Sequence, residues 1–189
     1  MKYSPEIRSE RKLGFTAGQF DLLHPGYIYM FQKVKYHCDV FYVFLQDDPS
    51  VARPEKYAPV VPAYERYNAL MSLKYVDDVY MYQTEQELLD LIEFWKPNVR
   101  ILGEDYIGKS FTGDHLPIEV VWTTRSHGWS NTELKNKITR ETIAKNPDII
   151  QKHTIKTHSE AYDKGYKEGA NKSNNKPCVC GFWGKDDEV

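Results

Sequence analysis

Strand-like and helix-like patterns alternate through residues 12–140, and that alternation limits the available folds more than any other feature of the chain. Residues 13–17, 40–45, 79–82, 99–102 and 118–122 read as strands from their length and their β-branched or aromatic content. Helix signals fill the intervals. Pro25 suits a first helical turn, and Tyr27, Ile28, Phe31 and Val34 follow as a partly apolar stripe reaching Cys38. Residues 63–75 place Tyr67, Leu70, Met71 and Lys74 at helical spacing. Thr84-Glu85-Gln86-Glu87 is a capping box ahead of Leu88, Leu89, Leu91 and Ile92, and Pro97 stops that helix. Ser130-Asn131-Thr132-Glu133 is a second capping box, opening a helix through Ile138. Such alternation means right-handed βαβ units: an α/β chain with a doubly wound, parallel five-stranded sheet covered on both faces. Ligands of such sheets bind beyond the carboxyl ends of the strands, where the strand order reverses. The segments after the first, fourth and fifth strands are therefore where a site is expected.

Charge and cysteine content exclude several classes. The 189 residues carry 25 basic and 27 acidic side chains, a net charge of −2, too near neutral for a dedicated polyanion binder. Nucleic acid is not expected as the main partner. Residues 40–45 form the longest purely apolar run, far short of the roughly 20 residues that cross a bilayer, so no membrane span is expected. The charged opening Met1-Lys2-Tyr3-Ser4-Pro5-Glu6 does not read as a secretory signal. Three cysteines, an odd number, argue against a disulfide-stapled secreted domain, and a cytoplasmic setting is expected.

Composition shifts near residue 140, which predicts an α/β domain over 1–140 and a C-terminal tail over 141–189. Large aliphatic side chains are sparse in the tail. A helix is expected there from about 146 to 171, weakened by Gly165 and Gly169, followed by a linker at Ser173-Asn174-Asn175-Lys176-Pro177. Cys178 and Cys180 supply too few ligands for a tetrahedral metal site and read as free thiols. His153 and His158 do not share a helix face well and read as solvated surface, so no protein-held metal is expected. Phe182 and Trp183 read as an anchor for a protein partner's pocket.

Three segments carry residue types suited to phosphate chemistry. After the first strand, Gly18 permits a close backbone turn, and His24 precedes a helix start whose free N–H groups attract anions. His24 is either a helix cap or a donor to charge developing on a phosphate. After the fifth strand, Arg125-Ser126-His127-Gly128-Trp129-Ser130-Asn131-Thr132 brings a guanidinium, hydroxyls and exposed N–H groups to a capped helix start. It is either a triphosphate cradle or a capped loop. After the fourth strand, Gly103-Glu104-Asp105-Tyr106-Ile107-Gly108-Lys109 either reads a base or sugar or is a glycine-bounded turn.

Together these segments resemble the glycerol-3-phosphate cytidylyltransferase-like nucleotidyltransferases, within the superfamily marked by His-x-Gly-His. The resemblance spans residues 12–140 and rests on Gly18-x-Phe20-Asp21-Leu22-Leu23-His24-x-Gly26, Tyr75-Val76-Asp77-Asp78-Val79, Gly103-Glu104-Asp105-Tyr106-x-Gly108-Lys109 and Arg125-x-x-Gly128-x-Ser130-x-Thr132. It implies a Rossmann-like nucleotidyltransferase fold, a homodimer, and a nucleoside triphosphate, CTP favoured, lying between the His24 helix start and the loop from Arg125 to Thr132. A phosphorylated small molecule would attack the α-phosphorus and release pyrophosphate, with Mg²⁺ held mainly by the triphosphate. The implied catalytic residues are His24, Tyr27 and Arg125. Nucleotide contacts are implied for Gly18, Gln19, Phe20, His24, Gly103, Asp105, Arg125, Gly128, Ser130, Asn131 and Thr132, and acceptor contacts for Asp21, Lys56, Arg66 and Lys74. The chain departs from the pattern in four places: Tyr27 stands at the second signature histidine, Gln19 and Asn131 replace threonines, and Lys74 replaces an arginine. A phenol donates one hydrogen bond and adds no positive charge. The alternative reading is thus a degenerate nucleotidyltransferase fold kept as a binding or structural subunit, or as a nucleotide sensor.

Overall fold

The computed structural model describes residues 11–124 and 126–146. All five strands are parallel: β1 (Leu13–Gly18), β2 (Val40–Gln46), β3 (Asp78–Tyr82), β4 (Val99–Gly103) and β5 (Glu119–Thr123), in the order β3-β2-β1-β4-β5. The helices are α1 (Pro25–Val34), the short α2 (Pro49–Ala52), α3 (Ala63–Met71), α4 (Glu85–Trp95) and α5 (Asn131–Lys145). Each expected strand is present within a residue of its expected bounds. The strand order reverses between β1 and β4, which makes this a doubly wound, Rossmann-like α/β sheet. A one-turn 3₁₀ segment, Glu104–Tyr106, follows β4 and had no signal in the periodicity.

The apolar run of β2 shows why the sheet is covered on both sides. All seven of its residues are buried. Phe41, Val43 and Leu45 pack with Phe31 and Val34 of α1 and Leu70 of α3, while Val40, Tyr42 and Phe44 pack with Leu88, Ile92 and Trp95 of α4. Side chains two apart share a sheet face, so a continuous apolar run serves two cores where an alternating run would serve one.

The helix ends deviate from the sequence periodicity for local reasons. The capping box at Thr84 forms in both directions, with the Glu87 N–H bonded to Thr84 Oγ1 and the Glu87 carboxylate accepting from the Thr84 N–H. The stripe of α1 was expected to reach Cys38, yet the helix stops at Val34 and tightens so that the His37 and Cys38 N–H groups share the Val34 carbonyl. Similarly, α3 ends at Met71 rather than near residue 75. Its exit turn delivers Asp77 to β2, where one carboxylate oxygen accepts from the Phe41 N–H at 2.8 Å and pairs with Lys35 Nζ at 2.5 Å. Arg100, buried in β4, is flanked by the rings of Phe15 and Phe111 and donates to the Thr112 carbonyl, tying the long β4–β5 connection to the sheet. Ser130 caps α5 by accepting from the Glu133 N–H at 3.1 Å, and the helix continues past residue 140 to Lys145. The helix expected from about residue 146, the linker, the free thiols and the aromatic anchor beyond it lie outside the described residues.

These two layers predict unequal costs. Phe44→Ala removes a fully buried ring from a central strand and should destabilise by about 3–5 kcal/mol. Thr84→Ala removes one cap and should cost about 1 kcal/mol. Urea unfolding of the two variants checks this. A smaller loss for Phe44→Ala than for Thr84→Ala would mean that the α4-side core is misassigned.

Candidate active site

A crevice opens where β1 and β4 part. The two strands pair only at Gly14 with Val99 and Phe15 with Arg100, although β1 continues to Gly18 and β4 to Gly103. The buried hydroxyl of Thr16 bridges the last step, donating to the Ile101 carbonyl at 3.0 Å. Beyond it the chain after β1 turns sharply. Phe20 holds the left-handed conformation at φ 46, uncommon for any residue but glycine, while its ring is buried against Tyr27 and Phe31.

Two buried charges build this edge. The Arg66 side chain is only 1% exposed. Its Nε donates to the Val61 carbonyl at 2.8 Å, Nη1 to Gln19 at 2.8 Å and Gln46 at 2.7 Å, and Nη2 to Asp47 at 2.6 Å. Asp21, with a fully buried side chain, accepts from the Val61 N–H at 2.9 Å and pairs with Lys135 Nζ at 2.6 Å. The sequence had both as acceptor-binding residues. The structure encloses them, and they hold strand ends and the start of α5 in place.

His24 and α5 meet above the crevice. His24 occupies the N-cap position of α1 in extended conformation, makes no side-chain cap bond, and is 7% exposed. Its ring stacks on Tyr27, with centroids 4.3 Å apart, and lies near-parallel to Trp129 at 6.4 Å. Tyr27 Oη accepts from Asn131 Nδ2 at 3.1 Å, which fixes the first residue of α5 against the first turn of α1. Pro25 has no N–H and the Tyr27 N–H goes to the His24 carbonyl, so Gly26 presents the donor of that turn. In α5 the Glu133 N–H is capped by Ser130, leaving the Asn131 and Thr132 N–H groups at the helix start. Two helix N-termini thus converge, and their dipoles favour an anion between them.

The other expected residues divide by place. Gly18, Gln19 and Phe20 form the β1 turn, with the Gln19 carbonyl taken by Arg66. Gly103 ends β4 opposite Thr123, and Asp105 is exposed on the following turn. Gly128 holds φ 72, a backbone that suits glycine, in the loop leading to Ser130. Lys56 is exposed on the loop between α2 and α3. Lys74 is not brought to the site: it precedes β3, at the amino edge of the sheet, and its ammonium lies over the Tyr75 ring at 4.9 Å. Arg125 lies outside the described residues. The sequence pattern placed His127 and Trp129 in the loop after the fifth strand without a role of their own, and it did not single out Lys135. The one signal that could have found His127 is Gly26, a poor helix former inside a first turn, where something must approach closely.

If Arg66 is the clamp of this edge, Arg66→Met should destabilise by at least about 3 kcal/mol, because four backbone carbonyls lose a charged donor. Arg66→Lys should recover little, since an ammonium cannot reproduce the planar fork. Denaturant midpoints of the two variants check this, and near-wild-type stability of Arg66→Met would refute the clamp.

Comparison with known proteins agrees with this architecture. A cytidylyltransferase-like family model matches residues 15–157. The bifunctional protein HldE of Helicobacter pylori strain P12 is 34% identical over 136 residues, covering 71% of this chain and 29% of that protein. HldE of Caulobacter vibrioides is 35% identical over 130 residues, covering 65% of this chain and 26% of the relative. The chain therefore spans less than a third of the length of the curated relatives it matches. A lipopolysaccharide core biosynthesis protein from Thermoplasma volcanium superposes with a TM-score of 0.49 at 24% identity, over 60% of this chain and 95% of its own. With a match extending over most of the chain, the chain belongs to the cytidylyltransferase-like family.

Proposed function

We propose that this chain is a nucleotidyltransferase that binds a nucleoside triphosphate between the starts of α1 and α5 and transfers its nucleotidyl group to a phosphorylated small molecule. The observation that carries the reading is the convergence of two helix N-termini on buried His24, with Asn131 of α5 bonded to Tyr27 of α1. An oxygen of the acceptor's phosphate would form the new bond to the α-phosphorus, and the bond to the β-phosphate oxygen would break with its electron pair leaving on pyrophosphate. The chain's own contribution is to hold the phosphates in line. His24 and the N–H groups of Gly26, Asn131 and Thr132 would donate to the phosphates, and preorganised donors of this kind stabilise charge as it develops. The resemblance to the family implies the same role for Arg125. Among the described residues no three His, Cys, Asp or Glu side chains stand together as a metal site. By family resemblance, a magnesium ion would come with the triphosphate and neutralise phosphate charge. CTP is the favoured nucleotide by family, and ATP is the first competitor to test.

Binding without transfer is the second reading, and one observation favours it. Tyr27 accepts a hydrogen bond from Asn131 and stacks on His24, so the phenol is built into the packing of the site.

Calorimetry with CTP or ATP plus Mg²⁺, followed by a pyrophosphate-release screen over phosphorylated alcohols, tests both. His24→Ala should weaken triphosphate binding about tenfold or more, the scale of one hydrogen bond to a charged group. Binding unchanged in that variant would remove the nucleotide site from the start of α1. Tight binding with no pyrophosphate released for any acceptor would favour the second reading.

A further inference from the structure

A second imidazole faces the start of α1. Gly26 lies in close quarters: a Cβ added there would stand 2.5 Å from His127 Cε1, 3.1 Å from His127 Nε2 and 3.0 Å from His24 Nδ1. The His24 Nδ1 and His127 Nε2 atoms are therefore no farther apart than the sum of those two nitrogen distances. One ring comes from the loop after β1 and the other from the loop after β5, and they meet over the helix turn that presents the Gly26 N–H.

The orientation of the His127 ring is set by its own loop. Its Nδ1 accepts from the Trp129 N–H at 3.0 Å, a bond closed across Gly128 in its left-handed conformation. A neutral imidazole with an accepting Nδ1 must carry its proton on Nε2. The nitrogen nearer Gly26 is thus the donor. Trp129, whose N–H fixes this tautomer, also lies near-parallel to His24, so one residue positions itself against both rings. His127 is half-buried, reachable by a ligand yet held on one side by the Trp129 bond.

We infer that His127 is a phosphate-binding residue: its Nε2–H donates to a phosphate oxygen of the bound nucleoside triphosphate, beside His24 and the Gly26 N–H. This rests on the nucleotide reading above. It assigns the second imidazole of the site to the loop after β5, while the position one turn into α1 holds Tyr27, whose hydroxyl is engaged by Asn131. Gly26 is needed because any side chain there would displace the His127 ring.

The test compares the wild-type chain with His127→Ala, His127→Phe and His127→Gln. Calorimetry uses CTP, ATP and the corresponding nucleosides in the presence of Mg²⁺, with thermal melting as the check on folding. Triphosphate affinity should fall about tenfold in His127→Ala and His127→Phe, and His127→Gln, which keeps a side-chain N–H, should recover a measurable part of it. Affinity for the nucleoside should not change, since the donor faces phosphate. In the wild-type chain, the His127 ring resonances should shift with triphosphate and not with nucleoside. Triphosphate affinity equal to or tighter than wild type in His127→Ala would overturn the inference, showing that the ring merely fills the nucleotide's place. If the wild-type chain binds triphosphate and only His24→Ala loses it, the site stands and the role of His127 falls. If the wild-type chain binds no triphosphate at all, the nucleotide reading fails and this inference fails with it.

Discussion

A guanidinium closed off from water holds the carboxyl edge of this sheet together. Removing an arginine from water costs several kcal/mol unless its donors are met, and Arg66 meets them with four backbone carbonyls. Those carbonyls sit at the ends of β1 and β2 and in the approach to α3, where strands stop and ladder partners run out. The arginine gives these carbonyls donors where the strands end, and the carbonyls make the buried guanidinium tolerable. Each makes the other's burial possible. Asp21 does the reciprocal work with opposite charge, taking the Val61 N–H and the Lys135 ammonium. Val61 is shared: its carbonyl serves Arg66 and its N–H serves Asp21.

This shared frame explains how a mostly exposed helix can complete a site. No residue of α5 is fully buried, so apolar packing alone does not fix its start. Three polar links do: the Ser130 cap, the Asn131 to Tyr27 hydrogen bond, and the Lys135 pair with Asp21. Each reaches a segment that follows β1 or lies within the helix itself. The strained turn at Phe20 belongs to the same arrangement, since its backbone aims the chain so that His24 lies at the head of α1. The result is that the first turns of α1 and α5, with their free backbone N–H groups, lie side by side with the ring of His24.

The fold was readable because its driving force is written in apolar runs and punctuation. Thr84, Pro25 and Ser130 mark helix starts by chemistry that acts within three residues, and β2 declares its double burial in six consecutive apolar side chains. The helix ends of α1 and α3 were less readable because Asp77, a long-range partner of Phe41 and Lys35, decides where α3 must release the chain. The burial of Arg66, Asp21 and Arg100 was not readable for one reason: a charged residue in a sequence reads as surface, and only the crossing of distant segments brings it to carbonyls, backbone N–H groups and rings. Lys74 was assigned by motif alone, and its place before β3 puts it at the far edge. His127 was hidden in a loop whose conformation depends on Gly128 and Trp129, although Gly26 already showed that something must come close.

The most direct test is a crystal structure of the chain with a non-hydrolysable CTP analogue and Mg²⁺. The account predicts the phosphates between the starts of α1 and α5, within hydrogen-bond reach of His24 and the Gly26 N–H, with Arg66 still bonded to its four carbonyls. Phosphates bound elsewhere on the chain, or a nucleotide that displaces Arg66 from those carbonyls, would contradict it.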